Sequence, residues 1–228
     1  MFRGSKYSTV LTVILIIAII GIIAMLIFIV YRIYRKKYIE NGATQAVVKF
    51  EESILNNNSN NSIVQNQTSS NGISGVTETN QQSQTSTNTG SSNNRTKYKG
   101  FYVVGTIKIP SIKLNYPILE KVTKKSLETS VAFLYGPGLN KVGNNVIIGH
   151  NYRNGTMFSN LKKLQNGAII YITDESGNQV KYKMYKSYRT SGDDATYMTR
   201  NTNGKREISL STCTDDSKAR LIVWAREE

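Results

Sequence analysis

Val10 to Val30 is an unbroken apolar run of 21 residues in which Thr12 is the only polar side chain. As a helix it rises about 31 Å, enough to cross a hydrocarbon layer of about 30 Å. A core helix of a globular protein keeps a polar stripe for solvent, and this run has none. A cleaved signal peptide has a shorter apolar stretch followed by a small-residue cleavage site, and neither is present. The run therefore reads as a permanent membrane anchor, with residues 1–9 as a short terminus on one side of it. The flanks do not fix the orientation. Arg3 and Lys6 precede the run and Arg32, Arg35, Lys36 and Lys37 follow it. A count of Lys and Arg places the C-terminal flank in the cytoplasm, but a long following domain can translocate regardless of that count.

Beyond the anchor the composition changes twice. Tyr31 to Leu55 continues as a juxtamembrane helix with Arg, Lys, Glu51 and Glu52 on its surface. Asn56 to Thr96 is dominated by Asn, Ser, Thr, Gln and Gly, with Glu78 and Arg95 as its only charges. Such a stretch buries too little apolar surface to offset its chain entropy, so residues 56–97 read as a disordered spacer. A flexible chain of that length spans roughly 35 Å and would hold a domain off the membrane. Residues 98–228 remain, enough for one hydrophobic core.

That last segment reads as mainly β. Short β-type runs recur at Tyr102–Ile109, Tyr116–Leu119, Asn145–Gly149, Ala168–Thr173, Gln179–Tyr188, Ile208–Thr212 and Leu221–Ala225. Val180 to Met184 alternates apolar and polar, which turns one face inward. Turn signals stand at Gly136-Pro137-Gly138, at 174–178 and at 201–204. One short helix fits Met157–Leu164, where Met157, Phe158, Leu161 and Leu164 fall at core-facing helical spacing. Evenly spaced strands with little helix argue for a closed or nearly closed barrel. No internal repeat is present.

A single Cys excludes a disulfide framework, and one Cys with one His cannot supply a structural zinc site. The net charge of +14 invites a nucleic-acid reading. Its distribution does not support one. The domain holds most of the excess, its lysines are scattered, and no binding motif is recognisable. A basic exterior facing an anionic cell envelope accounts for the charge equally well.

Three residues carry potential chemistry. Cys213 ends the run Ile208-Ser209-Leu210-Ser211-Thr212-Cys213, and His150 ends Val146-Ile147-Ile148-Gly149-His150. Both stand where a strand gives way to a loop, a place where reactive groups can face a cleft. Each also has a structural reading, since Cys is commonly a small buried hydrophobe and a lone His a satisfied core residue. Arg220 opens the last strand seven residues after the Cys. A strand, a tight loop and an antiparallel return would set it beside Cys213. There a fixed cation favours a thiolate and donates to a developing oxyanion; otherwise it is a solvated strand-edge Arg.

Gly149-His150, Leu210-Ser211-Thr212-Cys213 and Arg220 with its apolar final strand resemble the sortases. These are membrane-anchored cysteine transpeptidases of Gram-positive bacteria with a T-L-x-T-C pattern, an upstream His and a downstream Arg. Ser209 stands at the first Thr of that pattern. The resemblance covers about residues 101–226 and extends to Ile109-Pro110, Asn115-Tyr116-Pro117-Ile118 and Gly143-Asn144. The stretch from Gly149 to Phe158 is similar to class B members, whereas the short loop between Cys213 and Arg220 is closer to class D. The balance leans to class B, although only Ser191 to Arg206 is available for the helical insertion that class carries.

The resemblance implies an all-β fold, a closed eight-stranded barrel with one or two short helices behind the N-terminal anchor. It implies Cys213 as nucleophile, His150 as acid and base and Arg220 as oxyanion partner. Thr212 and Ser211 become candidates for the substrate side; for Thr212, a plain β-branched strand role fits as well. Asp215 and Asp216 are near enough in sequence to orient His150, or belong to a solvated loop. No cofactor or metal is implied, and Glu120, Glu128, Asp174 and Glu175 form no recognisable calcium spacing. The implied partners are the sorting-signal peptide of a surface protein, an amine acceptor from a peptidoglycan precursor or a pilin, and the membrane. No nucleic acid is among them. Because substrate and acceptor lie outside the cell for this family, the implied location is the cell membrane, single-pass, with the domain outside.

Two other readings share the sequence. A cysteine hydrolase would use the same residues with water as acceptor. A non-catalytic tethered module for anionic wall polymer would keep Cys213 buried and unreactive. L,D-transpeptidases place Cys after an S-x-G segment that is absent here, and NlpC/P60 hydrolases place Cys before His.

Overall fold

A computed structural model describes residues 6–65 and 95–228. Residues 66–94 of the expected spacer, and the first five residues of the chain, lie outside the described residues.

One helix, α1 (Lys6–Gln65), runs through the apolar segment and onward without a break. From Val10 to Val30 its side chains are exposed, and none of the described residues covers them. A helix that apolar and that long is able to cross a membrane. Further along, Ala43, Ala46, Val47 and Phe50 are all buried. Their i, i+3, i+4, i+7 spacing forms a single stripe. Phe50 and Ala46 pack with Tyr98, Val103, Leu119 and Ala132, and Ala43 joins the main core. The continuous helix therefore joins the apolar segment to the folded domain by direct packing.

The domain is a closed barrel of eight strands: β2 (Phe101–Ile109), β3 (Leu114–Leu119), β4 (Val131–Tyr135), β5 (Gly143–Ile148), β6 (Ile169–Asp174), β7 (Gln179–Ser191), β8 (Arg206–Cys213) and β9 (Ala219–Glu227). A two-residue strand, β1 (Lys97–Tyr98), is added at the edge of β2. The spatial order is β2-β3-β4-β5-β8-β9-β7-β6, and pairing of β6 with β2 closes the ring. Neighbours are antiparallel except β3 with β4 and β5 with β8. The interior is filled by Ile107, Ile118, Ile147, Ile172, Leu210 and Val223 among others, all fully buried. Tyr182 is also buried there, and its hydroxyl donates to Asn140 Oδ1 at 3.1 Å. The fold class is the one that the sequence implies.

Two elements were not visible in the sequence pattern. In β4, Val131 faces the main core, Ala132 faces α1, and Leu134 joins a patch on the barrel exterior. Covered on both faces, the strand shows no alternation to read. The parallel step from β3 to β4 needs a crossover, supplied by α2 (Lys124–Thr129). Thr123 caps that helix, its side chain accepting from Ser126 N at 3.0 Å. The helix expected at 157–164 is a 3-10 helix, Phe158–Lys163, and Phe158 and Leu161 close one end of the core.

Candidate active site

The parallel register of β5 on β8 sets the geometry. Asn145 pairs with Ile208, Ile147 with Leu210 and Ile148 with Ser211. The same offset carries Gly149 opposite Thr212 and His150 opposite Cys213. Two bonds hold that offset beyond the strand end: Gly149 N donates to Ser211 O at 3.2 Å, and Thr212 Oγ1 donates to Gly149 O at 2.7 Å. Across the hairpin, Cys213 pairs directly with Arg220. Cys213 and Arg220 thus stand side by side on β8 and β9, and His150, two residues beyond the end of β5, lies on the extension of the same row.

Strand alternation assigns that row a face. Ile208 and Leu210 belong to the interior, as do Ile147 on β5 and Val223 and Ala225 on β9. Val146, Ile222 and Trp224 belong to a cluster on the exterior. Cys213 and Arg220 fall in phase with the exterior set, and the exterior positions of β5 lead to His150. Thr212 falls on the other face. Its hydroxyl is committed to the carbonyl just before His150, so the structure gives it a place inside the barrel.

Cys213 is half-buried and free. Arg220 Nε donates to Gly192 O at 2.9 Å, which ties it to the β7–β8 loop. Among the described residues neither of its Nη groups has a partner. The His150 carbonyl accepts from Phe158 N at 3.1 Å, and its ring lies 5.1 Å from that of Tyr152. Gly149 permits this approach: a Cβ there would stand 2.7 Å from Val131 Cγ1 and 3.0 Å from Phe158 Cδ2.

Neither Asp215 nor Asp216 bonds to His150. Asp215 instead anchors a clamp between the two loops of the site. Asn151 Nδ2 donates both to Cys213 O at 3.0 Å and to Asp215 Oδ1 at 2.8 Å, and Lys162 Nζ reaches Asp215 Oδ2 at 2.5 Å. The Lys162 bond, reinforced by Asn151, holds the Asp215 carboxyl below the usual range. Asp216 accepts from Thr214 Oγ1 and Lys218 N, and the Thr214 bond lowers its pKa in turn. A cavity of about 50 Å³ is lined by Cys213 together with Asn151, Phe158, Lys162, Arg189, Thr212 and Leu221. Nothing in the sequence marked Asn151 or Lys162; adjacency of Asn151 to the only His was the one available signal.

Away from Cys213 the exterior of β8 and β9 is apolar. Tyr197 and Met198 of the β7–β8 loop pack on Val146, Ile222, Tyr188 and Trp224. Asn144 Nδ2 fixes the loop by donating to the carbonyls of Tyr197 at 2.9 Å and Met198 at 2.8 Å. Ser211 sits in this phase, buried, and its Oγ has no hydrogen-bond partner. Among the described residues no three His, Cys, Asp or Glu side chains cluster as a metal site would.

Residues 107–228 match the family model of the sortase domain. The chain belongs to the sortase family. Sortase A of Bacillus anthracis is 32% identical over 124 residues, which cover 53% of this chain and 58% of that protein. Among solved structures, Sortase A from Corynebacterium diphtheriae has 30% identity and a TM-score of 0.51, over 56% of this chain and 61% of that one. The Clostridium perfringens Sortase D5 transpeptidase has 29% identity and a TM-score of 0.51, over 56% and 79%. The similarity therefore resides in the barrel. Neither α1 nor the spacer enters the family match. The leaning to class B gains no support from these relatives, whose names carry classes A and D. Nor does the sortase domain contain a helix between β7 and β8, where residues 192–205 form turns and irregular backbone.

Proposed function

We propose that this sortase is a membrane-anchored cysteine transpeptidase with its domain outside the cell. In this reading Cys213 Sγ attacks the carbonyl carbon of a sorting-signal peptide bond. The oxyanion that forms is stabilised by the Arg220 guanidinium, whose Nη groups have no partner among the described residues. Protonated His150 gives its proton to the leaving amine as the C–N bond breaks, leaving a thioester on Cys213. An incoming amine from a peptidoglycan precursor or a pilin then attacks the thioester. His150 takes its proton, an amide forms and the thiolate leaves. Residues 1–9 are cytoplasmic, 10–30 span the membrane, 31–55 form the juxtamembrane helix, 56–97 the spacer, into which α1 runs as far as Gln65, and 98–228 the catalytic domain, whose edge strand begins at Lys97. No cofactor or metal enters the scheme.

The observation that carries the proposal is the direct pairing of Cys213 with Arg220, next to a β5–β8 register that, continued two residues past Ile148, brings His150 level with Cys213. Beside it the apolar exterior of β8 and β9 is covered by Tyr197 and Met198, so the β7–β8 loop borders the space that a peptide would enter. Ser211, the other substrate-side candidate, is buried with an unpartnered hydroxyl, so a direct contact with the peptide would need the β7–β8 loop to move. The test is to incubate the full chain with a panel of sorting-signal peptides, with and without an amine, and to follow protein and peptide by mass spectrometry. An acyl adduct on Cys213 and amine-dependent ligation, abolished in Cys213→Ala and His150→Ala, are expected. Cleavage that no amine diverts would instead establish a hydrolase. A folded protein with no adduct and an alkylation-resistant Cys213 would refute both.

A further inference from the structure

The cations that follow the apolar run are not used by the chemistry proposed for the barrel, yet they are not scattered over α1. Arg32, Arg35 and Lys36 line a cleft of about 580 Å³ whose opposite wall is Tyr152 and Asn154 of the loop after His150, with Glu128 of α2 at its edge. Lys36 reaches across it: a Cβ on Gly155 would lie 2.9 Å from Lys36 Nζ. Lys36 also stands 3.8 Å from Glu40. Among the described residues Arg32 and Arg35 have no ion pair, so the cleft keeps an excess of positive charge. Tyr152, in its wall, touches the His150 ring at a centroid separation of 5.1 Å.

Depth along the helix says what this charge meets. Arg32 and Arg35 lie two and five residues beyond Val30, about 3 and 8 Å at 1.5 Å per residue, with Lys36 just above them. The polar layer of a bilayer adds about 5–8 Å on each side of the hydrocarbon core. With Val10–Val30 in the hydrocarbon, the cleft opens at headgroup level. Guanidinium forks suit phosphate oxygens better than any other side chain does.

We propose that the cleft between α1 and the His150 loop binds the phosphate of an anionic lipid headgroup. The bound phosphate bridges Arg32, Arg35 and Lys36 to Tyr152 and Asn154 and so orders the loop beside His150. The cation count that runs against an external domain then has a second physical origin, in ligand binding. The proposal rests on the membrane placement of Val10–Val30 and not on transpeptidation.

The test uses the full chain in nanodiscs of phosphatidylcholine alone or with phosphatidylglycerol, read by hydrogen exchange of residues 151–156 and by lipid retention in native mass spectrometry. Neither readout requires activity. The expected result is slower exchange in the loop and retained phosphatidylglycerol only in the anionic discs. Arg35→Gln should weaken retention about fivefold, the effect of one juxtamembrane cation. Lys37→Gln removes the same charge two residues further along, outside the cleft, and should change it little. Arg32→Lys with Arg35→Lys keeps the charge and should retain most of the binding. Equal losses in Arg35→Gln and Lys37→Gln would show a diffuse surface effect and overturn the site, as would loop protection in phosphatidylcholine alone. Protection by millimolar inorganic phosphate in phosphatidylcholine discs would overturn the assignment to a lipid.

Discussion

Replacing Thr212 with Val tests whether the site is held by a hydrogen bond or by packing alone. The Thr212 hydroxyl is buried and donates 2.7 Å to the Gly149 carbonyl, one residue before His150 and one before Cys213 in the two paired strands. Val has the same shape, so the substitution removes the donor without leaving a cavity. The lost bond costs about 1 kcal/mol, and leaving the Gly149 carbonyl without this donor raises the total to about 1–3 kcal/mol. An unfolding entropy of about 2.1 cal/mol/K per residue over about 130 residues converts 2 kcal/mol into a fall of about 7 °C in Tm. Thr212→Ser keeps the hydroxyl and loses one methyl group, a cost of about 1 kcal/mol or about 4 °C. Trp224, the only tryptophan, sits on the exterior of β9 and reports the transition by fluorescence. Amine-dependent ligation should fall further in Val than in Ser, because the carbonyl that precedes His150 loses its tie. If Ser is the more damaging substitution, or if Val shifts Tm by less than about 1 °C, packing positions His150 and the hydrogen-bond argument is wrong.

Gly149→Ala drives a methyl into Val131 and Phe158, at 2.7 and 3.0 Å; a loss of about 1–3 kcal/mol is expected in denaturant unfolding. Phe50→Ala empties the centre of the contact between α1 and the barrel. Large-to-small changes of this kind cost about 3–5 kcal/mol where the element stays docked, so the helix gives way first and amide exchange over residues 40–55 should accelerate with little change in the barrel. The Asp215 clamp has a pH window with a defined sign. Its folded pKa is depressed by Lys162 and Asn151, so its contribution is present above the unfolded value near 4 and disappears as pH falls through the lower folded value. Exchange protection of Asn151 and the Cys213–Ser217 loop should therefore hold at pH 5 and drop at pH 2–3. Asp215→Asn should show the low-pH behaviour at every pH.

The site was legible in the sequence to the extent that strand ends are. Cys213 and His150 each close an apolar β-run, and the seven-residue interval to Arg220 suits one tight hairpin. The structure pairs Cys213 with Arg220 directly. What sequence could not supply was the parallel pairing of β5 with β8, which joins residues 63 positions apart and decides that His150 stands level with Cys213. The same limit hid the clamp. Asn151 and Asp215 carry no local pattern, and only the 3-10 turn bearing Lys162 brings the three together. Of the two roles open to Thr212, its burial and its bond to the Gly149 carbonyl favour the strand role, because period-two alternation turns adjacent residues to opposite faces.

The part of α1 that follows the apolar run illustrates a different limit. Ala43, Ala46, Val47 and Phe50 already stand at core-facing spacing in the sequence, but two of the four are alanines, and the stripe is flanked by Glu, Lys and Asn. Read alone it resembles a solvated surface helix. Its partner surface on β2 and β3 is made of Val103 and Leu119, residues that are equally at home in a barrel with nothing docked on it. Neither half announces the contact, because small side chains contribute close approach rather than a strong apolar signal. The consequence is mechanical. Ala43 lies 13 residues beyond Val30 on one continuous helix, about 20 Å along its axis. With the apolar run in the bilayer, the height of the barrel above the membrane is then set by helical rise, and the loop after His150 faces the lipid surface at a distance that a flexible spacer could not hold constant.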